Sequence, residues 1–296
     1  MSEPRTVSQL VALGERVLDD STHIFEDHVN IDQARELLAS VLRISPDDLD
    51  EDLEPPKVAR DRYLALIARR AAGEPQPFLT GWIEFYGLHL KVWPGAFVPR
   101  PSSELTVDRA LFRLRRKRAP VVVDVAAGTG PIALAVGTEL PSAEVWALDI
   151  DPTALDHGRR NARRLGIGNV RFRTSDMYGA LPAGLDGRVD LITAHVPYVP
   201  AHELEDLPTE VRDHEPMHTL TDEQDGLYLL RRAVQESIRL LKPGGWLLLE
   251  LSDDFAPKAS RLVRSAGLRD EGVASDDDGL SVVVEARKPG PAGKPR

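Results

Sequence analysis

The chain has 296 residues, a 42% hydrophobic share, a formal net charge of -10 and no cysteine. That length suits one large domain or one with a small companion, and the missing cysteine excludes disulfides and thiolate metal sites. No stretch reaches the roughly 20 apolar residues of a membrane span, the opening MSEPRTVSQL lacks the basic and apolar regions of a leader, and an acidic surface repels duplex nucleic acid. A globular cytoplasmic protein bound to neither membrane nor duplex is therefore expected.

Residues 5–73 carry apolar side chains at helical spacing: Val7, Leu10, Val11 and Val17, then Ala34, Leu37, Leu38 and Val41, then Tyr63, Leu64 and Ile67. Ser45-Pro46 and Glu54-Pro55-Pro56 break the pattern, so a bundle of short helices is expected over 1–80. Such a bundle more often recognises a partner or covers a site than carries chemistry. From 78 to 99 aromatic residues cluster among Gly81, Gly87 and Gly95, which reads as a hairpin linking the bundle (81–99) to the rest. Pro99 and Pro101 then stiffen an extended segment around Arg100, with Glu104 soon after, and both are candidates to line a site from the substrate side. The helix that follows ends in Arg113, Arg115, Arg116, Lys117 and Arg118. Cations suit a helix carboxyl terminus, so this run reads as a solvated helix end.

The stretch 121–151 organises the remainder. Val121-Val122-Val123 is a β-branched run of the kind buried on both faces of a parallel sheet, and it is expected to stop at Asp124. Ala126-Ala127-Gly128-Thr129-Gly130 lets the backbone turn tightly and approach a ligand; Pro131 opens a helix; 145–148 is a second strand ending in Asp149 and followed by Ile150. This is a βαβ unit, with its ligand at the carboxyl ends of the strands and Asp149 placed for the hydroxyls of an adenosine ribose. Gly128, Gly130 and Ala133 also satisfy the nicotinamide-type glycine pattern, so the glycines alone leave two cofactor classes open. Asp124 favours S-adenosylmethionine: a carboxylate there would repel a pyrophosphate but attract a sulfonium and an ammonium.

A helix over 154–165 leads to a third strand at 170–174 and to Asp176 and Met177, placed to meet an adenine amino group and ring. The fourth strand, 189–194, runs into His195-Val196-Pro197-Tyr198-Val199-Pro200 beside the nucleotide crevice. Methyl transfer to an amide or amine nitrogen needs mainly positioning and hydrogen-bond acceptors. A neutral His195 and the carbonyls of Val196 or Pro197 can accept, His195 also reaching the cofactor, and Tyr198 is expected to offer a flat face for stacking. Asp225-Gly226-Leu227 opens a helix to 241, Lys242-Pro243-Gly244-Gly245 stops it, 246–251 is a fifth strand and 257–266 a helix. The close, 268–286, reads as two strands around an acidic turn at 275–279. The expected fold is a doubly wound, Rossmann-like α/β sheet over 100–288 ending in an antiparallel hairpin, as in class I methyltransferases, followed by a disordered tail at 289–296.

Together these residues resemble the HemK-type (PrmC-related) protein-glutamine methyltransferases, which modify the glutamine of the GGQ motif in peptide-chain release factors. Val98-Pro99-Arg100-Pro101-Ser102-Ser103-Glu104 is similar to the family's PRPETE segment with the middle residues changed. Ala71 to Pro75, Phe85-Tyr86-Gly87, the loop from Asp124 to Gly130, His214-Glu215-Pro216 and Asp225-Gly226-Leu227 resemble further landmarks, and Asp149 and Asp176 match the ribose and adenine positions. The family's NPPY is here His195-Val196-Pro197-Tyr198. Asparagine offers an acceptor and a donor in one flat amide, a pairing imidazole does not reproduce.

The resemblance implies an S-adenosylmethionine-dependent N-methyltransferase of a protein glutamine, acting as a monomer on a release-factor-like protein. The methionine end would lie on Asp124, Ala126, Gly128 and Gly130, and the acceptor on His195, Pro197 and Tyr198. Three alternatives stay open: methylation of a small molecule or a base amine, a binding protein without turnover, and an NAD-dependent oxidoreductase.

Overall fold

A computed structural model describes residues 4–24, 32–275 and 281–290. The chain clusters into two compact units: Met1–Trp82 with Val92–Pro94 and Glu205–Glu215, and Ile83–Lys91 with Gly95–Leu204 and Pro216–Arg296. This division is not the sequential 1–80, 81–99, 100–288 scheme. Most of the hairpin belongs to the larger unit, and a segment far down the chain belongs to the smaller.

In the smaller unit α1 (Val7–Asp19), α2 (Gln33–Leu42), α3 (Lys57–Ala71) and the short α4 (Gln76–Thr80) enclose a core of Val7, Leu10, Leu37, Leu38, Tyr63 and Ile67. A capping box between Thr6 and Gln9 starts α1. A Cβ on Gly14 would stand 2.1 Å from the Tyr63 hydroxyl, which donates to the Leu10 carbonyl at 3.1 Å. Only glycine lets α3 come that close to α1.

In the larger unit the hairpin β1 (Trp82–Phe85) and β2 (Leu88–Lys91) precedes α5 (Glu104–Leu114), β3 (Val121–Val125), α6 (Pro131–Glu139), β4 (Glu144–Asp149), α7 (Pro152–Leu165), β5 (Val170–Thr174) and β6 (Val189–Ala194). The chain next lends α8 (Thr209–Arg212) to the smaller unit, then forms α9 (Tyr228–Leu240), β7 (Leu241–Leu251), α10 (Ala256–Ser265), β8 (Arg269–Ser275) and β9 (Val282–Arg287). On α8, Glu210 accepts from the buried Arg70 of α3 at 2.7 Å, and Arg70 also donates to Gln33 at 2.8 Å. A buried ion pair broken on one side costs several kcal/mol, so this contact pins the late segment into the early bundle.

The sheet has seven strands in the order β5-β4-β3-β6-β7-β9-β8, all parallel up to β7, with β9 antiparallel to both its neighbours. This is the doubly wound sheet with a terminal antiparallel hairpin expected of a class I methyltransferase. Alternate residues feed opposite faces: Val123, Val125, Ile192 and Leu247 pack with α9 and α10, while Val122, Leu191 and Leu248 pack with α5 and α6. The order reverses around β3, between β4 and β6, which puts the crevice at their carboxyl ends.

Two expected boundaries are corrected. The first core strand continues through Asp124 to Val125, because the acid finds a buried partner within the sheet. Lys242-Pro243-Gly244-Gly245 lies inside β7 rather than before it, absorbed by a register shift against β6 between Val189 and Leu191. The acidic turn expected at 275–279 falls, apart from Ser275, outside the described residues, as does most of the tail expected at 289–296.

Candidate active site

The β3–α6 turn is built from left-handed residues, Ala126 at φ 55°, Gly128 at 55° and Gly130 at 75°. The two glycines serve different ends. A Cβ on Gly128 would meet nothing within 4 Å, whereas one on Gly130 would come 2.7 Å from the Phe172 ring. Gly128 therefore fronts open space, and Gly130 is required for packing under the turn.

Asp124 is buried, its Oδ1 accepting from the Thr193 hydroxyl at 2.7 Å while Oδ2 has no hydrogen-bond partner among the described residues. Burial pushes this carboxyl up to about 7, with the charges of Glu250 and Asp149 adding to the rise, and the Thr193 hydroxyl and the nearby Ala133 N–H, which makes no hydrogen bond of normal geometry to it, opposing it. An acid so placed gains from a nearby cation. Asp149 ends β4, its Oδ2 accepting from Gly128 N at 2.6 Å and Oδ1 from Asp151 N at 2.8 Å. Burial raises its carboxyl too, against the pull of those two N–H donors. Each oxygen keeps a lone pair for a further donor. Beside it Ile150 is 62% exposed and leaves an apolar side chain next to the carboxylate. Met177 is buried at φ 47°, and Asp176 is exposed with Oδ1 taken by Arg232 at 2.6 Å, which leaves Oδ2 for an amino group.

After β6, His195 enters an aromatic column. Its ring stacks on Tyr198 with centroids 6.0 Å apart and meets Phe97 edge-on at 5.9 Å; Tyr198 leans on Phe255 at 5.3 Å, and the Arg100 guanidinium lies 4.6 Å over Phe97. Arg100 and Tyr198 thus come together with His195. Tyr198 is not the free platform expected, because its ring is already engaged by His195 and Phe255, and burial raises its hydroxyl. Glu104 is not brought to this cluster either: its Oε1 accepts from Tyr86 N at 2.7 Å and secures the hairpin. The Val196 side chain is buried in the core, while Pro197 is half-buried.

Sequence reasoning missed Glu250. It is buried near the end of β7, and its Oε1 accepts from the Ser103 hydroxyl at 2.5 Å, its Oε2 from the Thr106 hydroxyl at 2.6 Å, and His195 Nδ1 lies 3.3 Å from Oε1. The available signal was an acid inside the apolar run WLLLEL. The loop itself is held from behind. Val199 N donates to Leu220 O at 3.0 Å, and a Cβ on Gly226 would stand 2.1 Å from Tyr198 O, which explains the glycine of Asp225-Gly226-Leu227.

A methyltransferase domain family matches residues 122–214. A release factor glutamine methyltransferase of Burkholderia pseudomallei is 40% identical over 87% of this chain and 92% of its own length. The protein of the same name from Deinococcus radiodurans is 41% identical over 76% of this chain and 78% of its own. Among solved structures, a methyltransferase from Pyrococcus furiosus superposes with a TM-score of 0.49 at 16% identity, covering 79% of this chain and 100% of that one.

Proposed function

We propose, from the premise that this chain belongs to the family of release factor glutamine methyltransferases, that it methylates the side-chain amide nitrogen of a glutamine in a peptide-chain release factor. The enzyme is a methyltransferase of the S-adenosylmethionine-dependent class. S-adenosylmethionine supplies an electrophilic methyl on a sulfonium that departs as a neutral thioether. The residues present fit it: the partnerless buried oxygen of Asp124 beside the open turn at Gly128 suits a cation and would oppose a pyrophosphate. That oxygen is the observation that carries the reading of the cofactor end.

On this reading Asp124, Ala126 and the backbone at Gly128 hold the amino-acid end, Asp149 the ribose, Ile150 and Met177 the faces of the adenine, and Asp176 its amino group. Glu250 orients His195: with Nδ1–H directed at Oε1, Nε2 is left as an acceptor for one N–H of the substrate amide. The Pro197 carbonyl accepts the other N–H, which turns the nitrogen lone pair towards the methyl group. Bond formation leaves the nitrogen with one proton too many, and Nε2 is placed to take it. The enzyme works as a monomer in the cytoplasm, where release factors act; no helix among the described residues is long and apolar enough to cross a membrane.

The test is transfer of labelled methyl from S-adenosylmethionine to purified release factor, with mass spectrometry locating it. N-methylglutamine is expected. Label found only in small molecules or nucleic acid would overturn the substrate assignment. His195 in the family's asparagine position favours one second reading, an acceptor other than the glutamine amide; release-factor activity appearing only in His195→Asn would establish it.

A further inference from the structure

The amino-terminal edge of the same sheet carries a surface of a different kind. Trp246 on β7 and Arg287 on β9 lie level with Val122 near the start of β3, and the carboxyl terminus of α5 arrives beside them. Phe112, Arg113, Arg115, Arg116, Trp246 and Arg287 line an open cleft of about 320 Å³. The guanidiniums are braced on rings: Arg115 stands 3.9 Å over Phe112, and Arg113 and Arg287 stand 3.9 Å and 5.3 Å over Trp246. The buried Glu285 takes the Nε of Arg113 at 2.6 Å and also pairs with Arg109. Among the described residues no carboxylate pairs with Arg115, Arg116 or Arg287.

Stacking fixes a guanidinium plane while its edge N–H groups remain able to donate, so part of the entropy of ordering these long side chains is lost before any ligand arrives. A planar fork held this way matches a phosphate bidentately. Phe112, 45% exposed, adds an aromatic surface next to the cations. Arginines set beside a partly exposed aromatic ring in an open cleft are an arrangement that takes a single strand, with phosphates on the cations and a base against the exposed part of Phe112. A duplex would meet far more of a chain whose net charge is -10. An acidic peptide would use the cations and leave the exposed part of Phe112 unused.

We propose that this cleft binds the backbone of single-stranded RNA, independently of the methyl-transfer site. Fluorescence anisotropy of the full-length protein with labelled oligouridylate tests it, with polyglutamate of matched charge as competitor. Three phosphate contacts on a single strand predict about a 20-fold loss of affinity between about 50 and 200 mM salt. R115A/R116A/R287A should abolish that dependence, whereas Arg62→Ala on α3, an exposed arginine of the other unit, should leave it unchanged. Thermal midpoints read alongside separate lost binding from lost folding. Absence of binding at the lower salt, equal binding by the triple variant, or polyglutamate competing as well as RNA would each overturn the proposal, the last in favour of an acidic protein partner.

Discussion

The two ends of one sheet have opposite chemistry. At the carboxyl ends of the strands Asp124, Asp149 and Glu250 are buried or nearly so; burial raises the first two, helped at Asp124 by the charges of Glu250 and Asp149 and at Asp149 by that of Asp151. At the amino ends Arg115, Arg116 and Arg287 are stacked on rings or spread in solvent around a cleft. Helix α5 joins them. Its amino-terminal turn brings Ser103 and Thr106 to Glu250, its middle brings Arg109 and Arg113 to Glu285, and its last turn opens the basic edge. The helix dipole is thereby favourable at both ends. A net charge of -10 averages over this separation, and what differs between the ends is desolvation: Asp124 and Asp149 at the upper rim respond to pH and ligand, the cations at the lower rim to salt.

Asp124 gives the largest effect. Its folded value of about 7 lies above the roughly 3.9 of an unfolded aspartate, so between these values the folded state holds a proton the unfolded state has lost. Stability from this group is complete below about pH 4 and falls as pH rises to about 7, by at most about 4 kcal/mol. Urea unfolding across that range should show the decline in the parent and its loss in Asp124→Asn. A cation on Oδ2 favours the ionised form, so S-adenosylmethionine should bind more tightly above about pH 7, and below it should release a proton visible to calorimetry in buffers of different ionisation enthalpy. A pH-independent affinity would separate Asp124 from the ligand.

Asp149→Ala comes next. Two ribose hydroxyls bound to a carboxylate contribute about 3 kcal/mol together, so the Kd for S-adenosylmethionine should rise about 100-fold. A change of less than about threefold would remove Asp149 from the ribose.

Glu250→Gln and His195→Ala should leave that Kd within a few-fold and lower kcat by up to about 100- to 10,000-fold, the range of one positioned acid–base group. The pair separates orientation from chemistry. If Glu250 acts through His195, combining the two changes costs no more than His195→Ala alone. Additive losses would mean that Glu250 supports the loop by another route.

The upper rim was partly legible because its parts are local. Glycine turn, strand and terminal acid follow one another within 121–151, and each carries its meaning in a few neighbours. Glu250 does not: in WLLLEL it reads as an interruption until Thr106, 144 positions away, is folded against it. Glu210 is as remote from Arg70, at 140 positions, so the return of 205–215 to the first unit had no local signal. Gly226 looked like a helix-start residue, and its close approach to Tyr198 depends on two loops meeting. The basic run beside α5 was visible as charge, but Trp246 and Arg287, which turn a helix end into a cleft, come from strands more than a hundred residues later.

The smallest effect discriminates most finely at the lower rim. Arg115→Lys keeps the positive charge and discards the plane that stacks on Phe112. If the lower rim is only a field, this variant should bind oligouridylate as the parent does, with the same salt slope. If bracing matters, the slope stays and affinity falls about two- to fivefold, since an exposed cation–π contact contributes about 0.5–1 kcal/mol. Phe112→Ala removes the brace from the other side together with the ring offered to a base, and should cost more, at least about fivefold. The double variant should cost no more than Phe112→Ala alone, because once the ring is gone the guanidinium keeps only its Nη1 bond to the carbonyl of residue 112, at 3.1 Å in the parent, and has no plane left to stack on.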